Sequence, residues 1–125
     1  MTKARLFTGS RNWSGFSSVI QHVNELPPGS TIIVGDCPSG VDWCVRTHAK
    51  SRPDLVVEVF EADWATFGKS AGPIRNRRMV ERLIDLSHTT EIDAYAFPFG
   101  ESRGTRNCIQ ELNKAGVRTC VIEGH

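Results

Sequence analysis

Two periodicities exchange along this sequence, and that exchange restricts its fold more than any other feature. Short continuous apolar runs alternate with longer segments whose apolar residues recur every three or four positions. Thr31-Ile32-Ile33-Val34 and Leu55-Val56-Val57-Glu58-Val59-Phe60 are strands of the first kind. Ala4-Arg5-Leu6-Phe7-Thr8, Ile92-Asp93-Ala94-Tyr95-Ala96-Phe97 and Arg118-Thr119-Cys120-Val121-Ile122 bring the set to five. Between them, Phe16, Val19, Ile20, Val23 and Leu26 mark one face of a helix. A second helix is expected from about Val41 to Lys50. A third opens at Pro73 and carries Ile74, Val80, Leu83 and Ile84. A fourth carries Cys108, Ile109 and Leu112 and closes at Gly116. Glu61 to Gly72 reads as irregular. Alternation of this kind gives βαβ units and a parallel sheet with helices on both faces. The expectation is one three-layer α/β domain over residues 1–125, with a mainly parallel five-stranded sheet in the order 3-2-1-4-5. The apolar character of strands two, three and five predicts burial on both faces.

Composition narrows the function classes. Fifteen basic and fourteen acidic residues leave a formal charge of +1, which argues against whole-surface attraction to nucleic acid or membrane. No apolar run approaches the ~20 residues needed to span a bilayer. Met1-Thr2-Lys3-Ala4-Arg5 is not a hydrophobic signal, so the expected location is the cytoplasm. Cys37, Cys44, Cys108 and Cys120 form no CxxC pair and match no zinc spacing; they read as buried, reduced thiols. His22, His48, His88 and His125 are scattered and read as surface residues. No metal and no cofactor is expected.

The polar and glycine-rich residues gather after strands. Thr8-Gly9-Ser10-Arg11-Asn12-Trp13 follows the first, Gly35-Asp36-Cys37-Pro38-Ser39-Gly40-Val41-Asp42 the second, and Phe99-Gly100-Glu101-Ser102-Arg103-Gly104-Thr105 the fourth. Open α/β sheets bind ligands at these strand ends, and the proposed order places the first and fourth loops across the switch point. Glycine admits a ligand close to the backbone, and a helix N-terminus offers free N–H groups to an anion. Gly104-Thr105 at the start of the last helix fits that use, with Ser102 or Thr105 adding a hydroxyl and Arg11 a charged fork. The alternative is that the glycines only make tight turns.

A further stretch runs Ala62-Asp63-Trp64, then Gly68-Lys69-Ser70-Ala71-Gly72-Pro73-Ile74-Arg75-Asn76-Arg77-Arg78-Met79. Arg75 and Arg78 share a helix face and Arg77 points elsewhere, so only part of this basic run can address one ligand. Arg75 and Asn76, in the first turn, are expected at the mouth of the crevice. Asp63 and Trp64 either serve the ligand or cap and pack the excursion.

The ordered series Gly9-Ser10-Arg11-x-Trp13, Gly35-x4-Gly40-x-Asp42, Ala62-Asp63-Trp64, Gly68-Lys69-x-Ala71-Gly72-Pro73-x-Arg75-Asn76-x-x-Met79 and Ser102-x-Gly104-Thr105 resembles the YspA/YpsA-related branch of the SLOG superfamily, from Leu6 to Val121. The resemblance implies a Rossmann-like fold that binds nucleotides or nucleotide-derived ligands in bacteria or phages. The superfamily includes the LOG phosphoribohydrolases, which release a base from a nucleoside 5′-monophosphate, DprA-type binders of single-stranded DNA, and sensors of nucleotide signals. LOG enzymes carry a PGGxGTxxE motif. Here its Gly-Thr stands at Gly104-Thr105, its glutamate position is Cys108, and the LOG Arg-x3-Met spacing is matched by Arg75 and Met79. LOG-type relatives are commonly dimers, which implies a homo-oligomer.

Three functions are consistent with these residues. The first is a non-catalytic sensor or sequestering protein for a nucleotide-derived small molecule, held by Gly9, Ser10, Arg11, Trp13, Gly35, Asp36, Gly40, Lys69, Asn76, Gly100, Ser102, Gly104 and Thr105. The second is a nucleotide hydrolase or N-glycosidase in which Asp42 or Glu101, with Arg75, replaces the missing glutamate. The third is DNA binding through Arg75, Arg77 and Arg78, disfavoured by the near-neutral charge and the lack of an aromatic stacking series.

Overall fold

The computed structural model describes residues 1–124. The chain runs β1 (Lys3–Gly9), α1 (Phe16–Asn24), β2 (Thr31–Gly35), α2 (Gly40–Ala49), β3 (Val56–Phe60), α3 (Trp64–Phe67), a 3₁₀ turn (Gly68–Ser70), α4 (Ala71–Leu86), β4 (Glu91–Phe97), α5 (Arg103–Lys114) and β5 (Thr119–Val121). All five strands are parallel, in the order β3-β2-β1-β4-β5. This is the Rossmann-like α/β architecture and strand order expected from the sequence.

Strand alternation builds two cores. Phe7 of β1, Ile32 and Val34 of β2 and Phe97 of β4 meet Val19 and Val23 of α1 and Val41 and Val45 of α2. On the opposite face, Ala4, Leu6, Ile33 and Ala94 meet Met79, Val80 and Leu83 of α4 and Cys108 and Leu112 of α5. Each large apolar side chain removed from water contributes about 1.5–3 kcal/mol before entropy is counted. Helix pairs on both faces therefore clamp β1, and its C-terminal end becomes a fixed point.

One buried charge interrupts the α1 face. Arg5, in the middle of β1, is almost wholly enclosed and donates to Asp93 of β4 from Nε at 2.7 Å and from Nη2 at 2.9 Å. Its Nη1 donates to the His22 carbonyl and to Glu25, and its guanidinium lies 4.3 Å from the Tyr95 ring centre. The network ties β1, β4 and α1 together beneath the strand ends.

Several expectations are corrected. Strands β3 and β5 are not buried on both faces. They are the sheet's edges, and Val56, Val59 and Val121 stay exposed because the helices cover only the inner strands fully. The stretch from 61 to 72 is not wholly irregular, since it forms α3 and the 3₁₀ turn, and α4 starts two residues before Pro73. There are thus five α-helices among the described residues rather than four. Cys44 and Cys108 are buried, but Cys37 is half-buried and Cys120 exposed; all four are free thiols. His22 is not a bare surface residue, since it stacks on Tyr95 and bonds Glu25 at 3.0 Å. His48, also half-buried, bonds Asn24, and His88 is exposed. His125 lies outside the described residues. Among those residues, no helix is long and apolar enough to cross a membrane.

Candidate functional site

The C-terminal ends of β1, β2 and β4 open into a cleft of about 890 Å³, closed from below by α4 and flanked by the first turn of α5. Three strands deliver their following loops to one place because β1 is central and β4 is its neighbour.

The loop after β1 is held by backbone contacts that require glycine. Ser10 N–H donates to the Phe97 carbonyl at 3.0 Å, and the Ser10 carbonyl accepts from Val41 at the start of α2. Gly40 has φ +72°, and a Cβ there would strike the Ser10 carbonyl. The β1 loop and the α2 N-terminus thus pack as one wall. The Ser39 hydroxyl donates to the Arg11 carbonyl and fixes its far end. The Arg11 guanidinium has no protein partner at the mouth of the cleft.

The floor is charged. Asp42 of α2 is buried and accepts the Cys37 N–H at 3.3 Å. Burial pushes its carboxyl up to about 6, against the opposing pull of Arg75, the Cys37 N–H and Arg46. Arg75 of α4 reaches across β2 to donate from Nη1 to Asp36 at 2.9 Å and from Nε to Asn76 Oδ1 at 3.0 Å. Asp36 also accepts the Ala62 N–H, which ties the loop after β3 to the floor.

The far wall is the first turn of α5. Ser102, its N-cap, stands in the left-handed region at φ 49° and gives the helix no side-chain cap. Its buried hydroxyl has no hydrogen-bond partner. A non-glycine residue held at positive φ beside a cleft marks a functional position more often than chance. The Gly104 Cα faces open space, so a ligand can approach the backbone there. Arg106 shapes this loop by donating to the carbonyls of Gly100 at 2.8 Å and Glu101 at 3.0 Å. An uncapped twelve-residue helix with an orphan hydroxyl at its start suits an anion.

The structure brings Gly9, Ser10, Arg11, Asp36, Asp42, Arg75, Gly100, Glu101, Ser102, Gly104 and Thr105 to the cleft. Glu101 sits at the rim, largely exposed and paired with Arg103 at 2.9 Å. Five residues expected to touch a ligand do not line the cleft. Trp13 is in the core, edge-on to Phe97 at 5.4 Å, with its Nε1 donating to the Gly15 carbonyl. Asn76 is buried and spends its amide on the Gly104 carbonyl and Asn107 Oδ1, each at 3.0 Å, so it positions α5. Lys69 is exposed on the 3₁₀ turn away from the cleft. Gly35 and Gly40 act through the space they leave. Arg77 approaches Glu111 at 3.7 Å, and Arg78 is exposed outside the cleft, so the basic run does not converge.

Cys108, at the position of the LOG glutamate, faces the core and not the cleft. It is fully enclosed, and burial pushes its thiol up to about 12. Trp64 and Phe99 line the cleft and are exposed, which the sequence did not reveal. Asp63 caps α3 by accepting the Thr66 N–H at 3.1 Å, while Trp64 stays open. The same is true of Arg46, which donates to the Gly35 and Cys37 carbonyls and shapes the loop after β2. Among the described residues, no group of three or more His, Cys, Asp or Glu side chains converges as metal ligands would.

No protein-family model matches the chain. The Gene 61 protein of Mycobacterium phage D29 is 33% identical over 119 residues, covering 90% of each chain. Among solved structures, the X-ray structure of DNA processing protein A (DprA) from Streptococcus pneumoniae superposes with a TM-score of 0.56 at 15% identity over 95% of this chain. The chain spans 58% of the length of that DprA chain. The superposition carries the Rossmann-like fold, in agreement with the SLOG resemblance.

Proposed function

The chain belongs to the family of the Gene 61 protein of Mycobacterium phage D29, and from its cleft we propose that it binds a nucleotide or nucleotide-derived small molecule, as a sensor or sequestering protein of the YspA-related SLOG branch. The observation that carries this reading is the first turn of α5. Its uncapped N–H groups, the unpartnered Ser102 hydroxyl and the open Gly104 face the same cleft as the Arg11 and Arg75 guanidiniums. An anionic phosphate is the ligand such a wall complements. Residues 1–125 act as a single nucleotide-binding domain in this reading. Its setting is the cytoplasm of a bacterium or of a phage-infected host. Any dimer has an exposed apolar edge available at Val56, Val57 and Val59.

A second reading, hydrolysis of an N-glycosidic bond, is favoured by one observation. Asp42 presents a carboxyl whose pKa of about 6 suits proton transfer near neutrality, beside Arg75 in the cleft. The fold shared with DprA supports a third, DNA processing, although Arg75, Arg77 and Arg78 diverge.

A thermal-shift panel of nucleoside mono-, di- and triphosphates, cyclic dinucleotides, NAD and ADP-ribose tests the reading, with each mixture then analysed for released base. A raised melting temperature with intact ligand supports the binder. Released base or ribose phosphate makes the protein an enzyme. No shift with any member of the panel contradicts the small-ligand reading.

A further inference from the structure

We propose that Trp64 is the platform on which the base of a purine nucleotide stacks, so that the cleft selects a nucleoside part as well as a phosphate. The inference rests on the nucleotide reading of the cleft and deepens it.

Trp64 is 58% exposed, more than the other two tryptophans, yet it lines the cleft. Exposing a large aromatic ring to water forgoes the burial that stabilises a fold, so an ordered, exposed indole at a cleft is a binding surface in waiting. The ring is also held. Asp63 caps the short helix that carries Trp64, and the indole edge lies over Gly72 in the first turn of α4. A Cβ on Gly72 would stand 3.4 Å from Trp64 Cη2, a close packing distance. One part of the ring is therefore seated on α4, and the rest faces solvent at the cleft.

Strand order supplies the polarity. Trp64 follows β3, on the β2 side of β1, whereas the α5 first turn follows β4, on the other side. Arg75 and Asp42 lie on the floor. A nucleotide with its phosphate at Ser102–Thr105 then runs across the Arg75 and Asp42 floor toward Trp64, which places its base, not its sugar, against the indole. A bicyclic purine overlaps a bicyclic indole over a larger area than a pyrimidine does, so purines are favoured.

Calorimetric titration with AMP, GMP, UMP and ribose 5-phosphate tests this on the full chain, comparing wild type with Trp64→Ala and Trp64→Phe. Trp64→Ala is expected to weaken AMP or GMP roughly 5- to 100-fold, the range for losing one base–aromatic stack, while ribose 5-phosphate stays within about twofold. Trp64→Phe is expected to restore most of the loss. Equal losses for nucleotide and ribose phosphate, or none for either, would overturn the platform while leaving the phosphate site intact. Wild type that binds a ten-nucleotide single strand through Trp64 but no free nucleotide would overturn it in favour of DNA. Wild type that binds none of these ligands would remove the nucleotide reading itself.

Discussion

Gly35 makes room for Arg75. A Cβ on Gly35 would stand 2.6 Å from Arg75 Nη1 and 2.6 Å from Asp42 Oδ2, too close for any of the three to keep its place. The last residue of β2 is thus the seat on which the cationic and anionic floor groups meet. Gly35→Ala is expected to displace the Arg75 guanidinium first, because it ends a flexible side chain. The expected cost is about 1–3 kcal/mol of stability from overpacking. Nucleotide affinity is expected to fall roughly tenfold or more, a loss beyond that cost. Denaturant unfolding paired with ligand titration checks both. A variant that binds like wild type would show that Arg75 does not address the ligand.

Asp42 gives the protein a pH signature. Its carboxyl titrates at 3.8 in an unperturbed chain and at about 6 in the fold. Between these values the native state binds the proton more tightly than the unfolded state, so stability falls as pH rises from about 4 to about 6. Across that window the loss from this group is roughly 2–3 kcal/mol. Asp42→Asn keeps the shape and removes the titration, so its stability relative to wild type is expected to increase by a similar amount from pH 4 to pH 7. Parallel stability curves for the two proteins would mean that Asp42 ionises normally.

Cys108 separates resemblance from geometry. Restoring the LOG glutamate as Cys108→Glu is not expected to create an enzyme, because position 108 is enclosed between α5 and the sheet. A carboxylate there has no solvent and costs several kcal/mol. Cys108→Glu is expected to unfold at markedly lower denaturant, whereas Cys108→Ser stays folded. A stable Cys108→Glu that releases base from a nucleotide would reverse this assignment.

Asp93 carries the largest structural penalty. Its burial opposes ionisation, but Arg5 and Lys3 beside it outweigh burial and hold the carboxyl below its ordinary range. The resulting stability is present above pH 3.8 and is lost as pH falls through the depressed value. Asp93→Ala leaves Arg5 buried without its main partner and is expected to cost about 3–5 kcal/mol. Replacing both as Arg5→Met with Asp93→Leu is expected to recover much of that, which a double-mutant cycle by urea unfolding reads directly.

The sheet order and the grouping of three loops were legible because periodicity reports which face a residue buries. Gly9, Gly100 and Gly104 stand out in a sequence for the same reason that they line the cleft. What periodicity does not encode is lateral cover. The valines of β3 look like a doubly buried strand, and only the position of β3 at the edge leaves them exposed. Trp13 and Asn76 sit within motifs, but adjacency to a loop does not say whether a side chain turns to the ligand or to the core. Trp13 turns to Phe97, and Asn76 to the α5 backbone. Arg46 and Arg106 shape two loops through backbone carbonyls, a role with no sequence signal. Trp64 was visible as a motif residue, yet its open face follows only from Asp63 capping α3 and Gly72 seating the ring.

The central claim is that the α5 first turn receives a phosphate, and Gly104 offers the most direct measurement of it. A side chain at Gly104 meets no protein atom within 4 Å, so Gly104→Val is expected to fold while filling the space the phosphate needs. Calorimetric titration of wild type and Gly104→Val with a purine nucleoside 5′-monophosphate and with the matching nucleoside isolates the phosphate. Wild type is expected to bind the monophosphate at least roughly tenfold more tightly than the nucleoside, in the range of a charge-assisted contact, and Gly104→Val to lose that preference. Equal binding of nucleotide and nucleoside by wild type, or a preference that survives in Gly104→Val, would contradict the account.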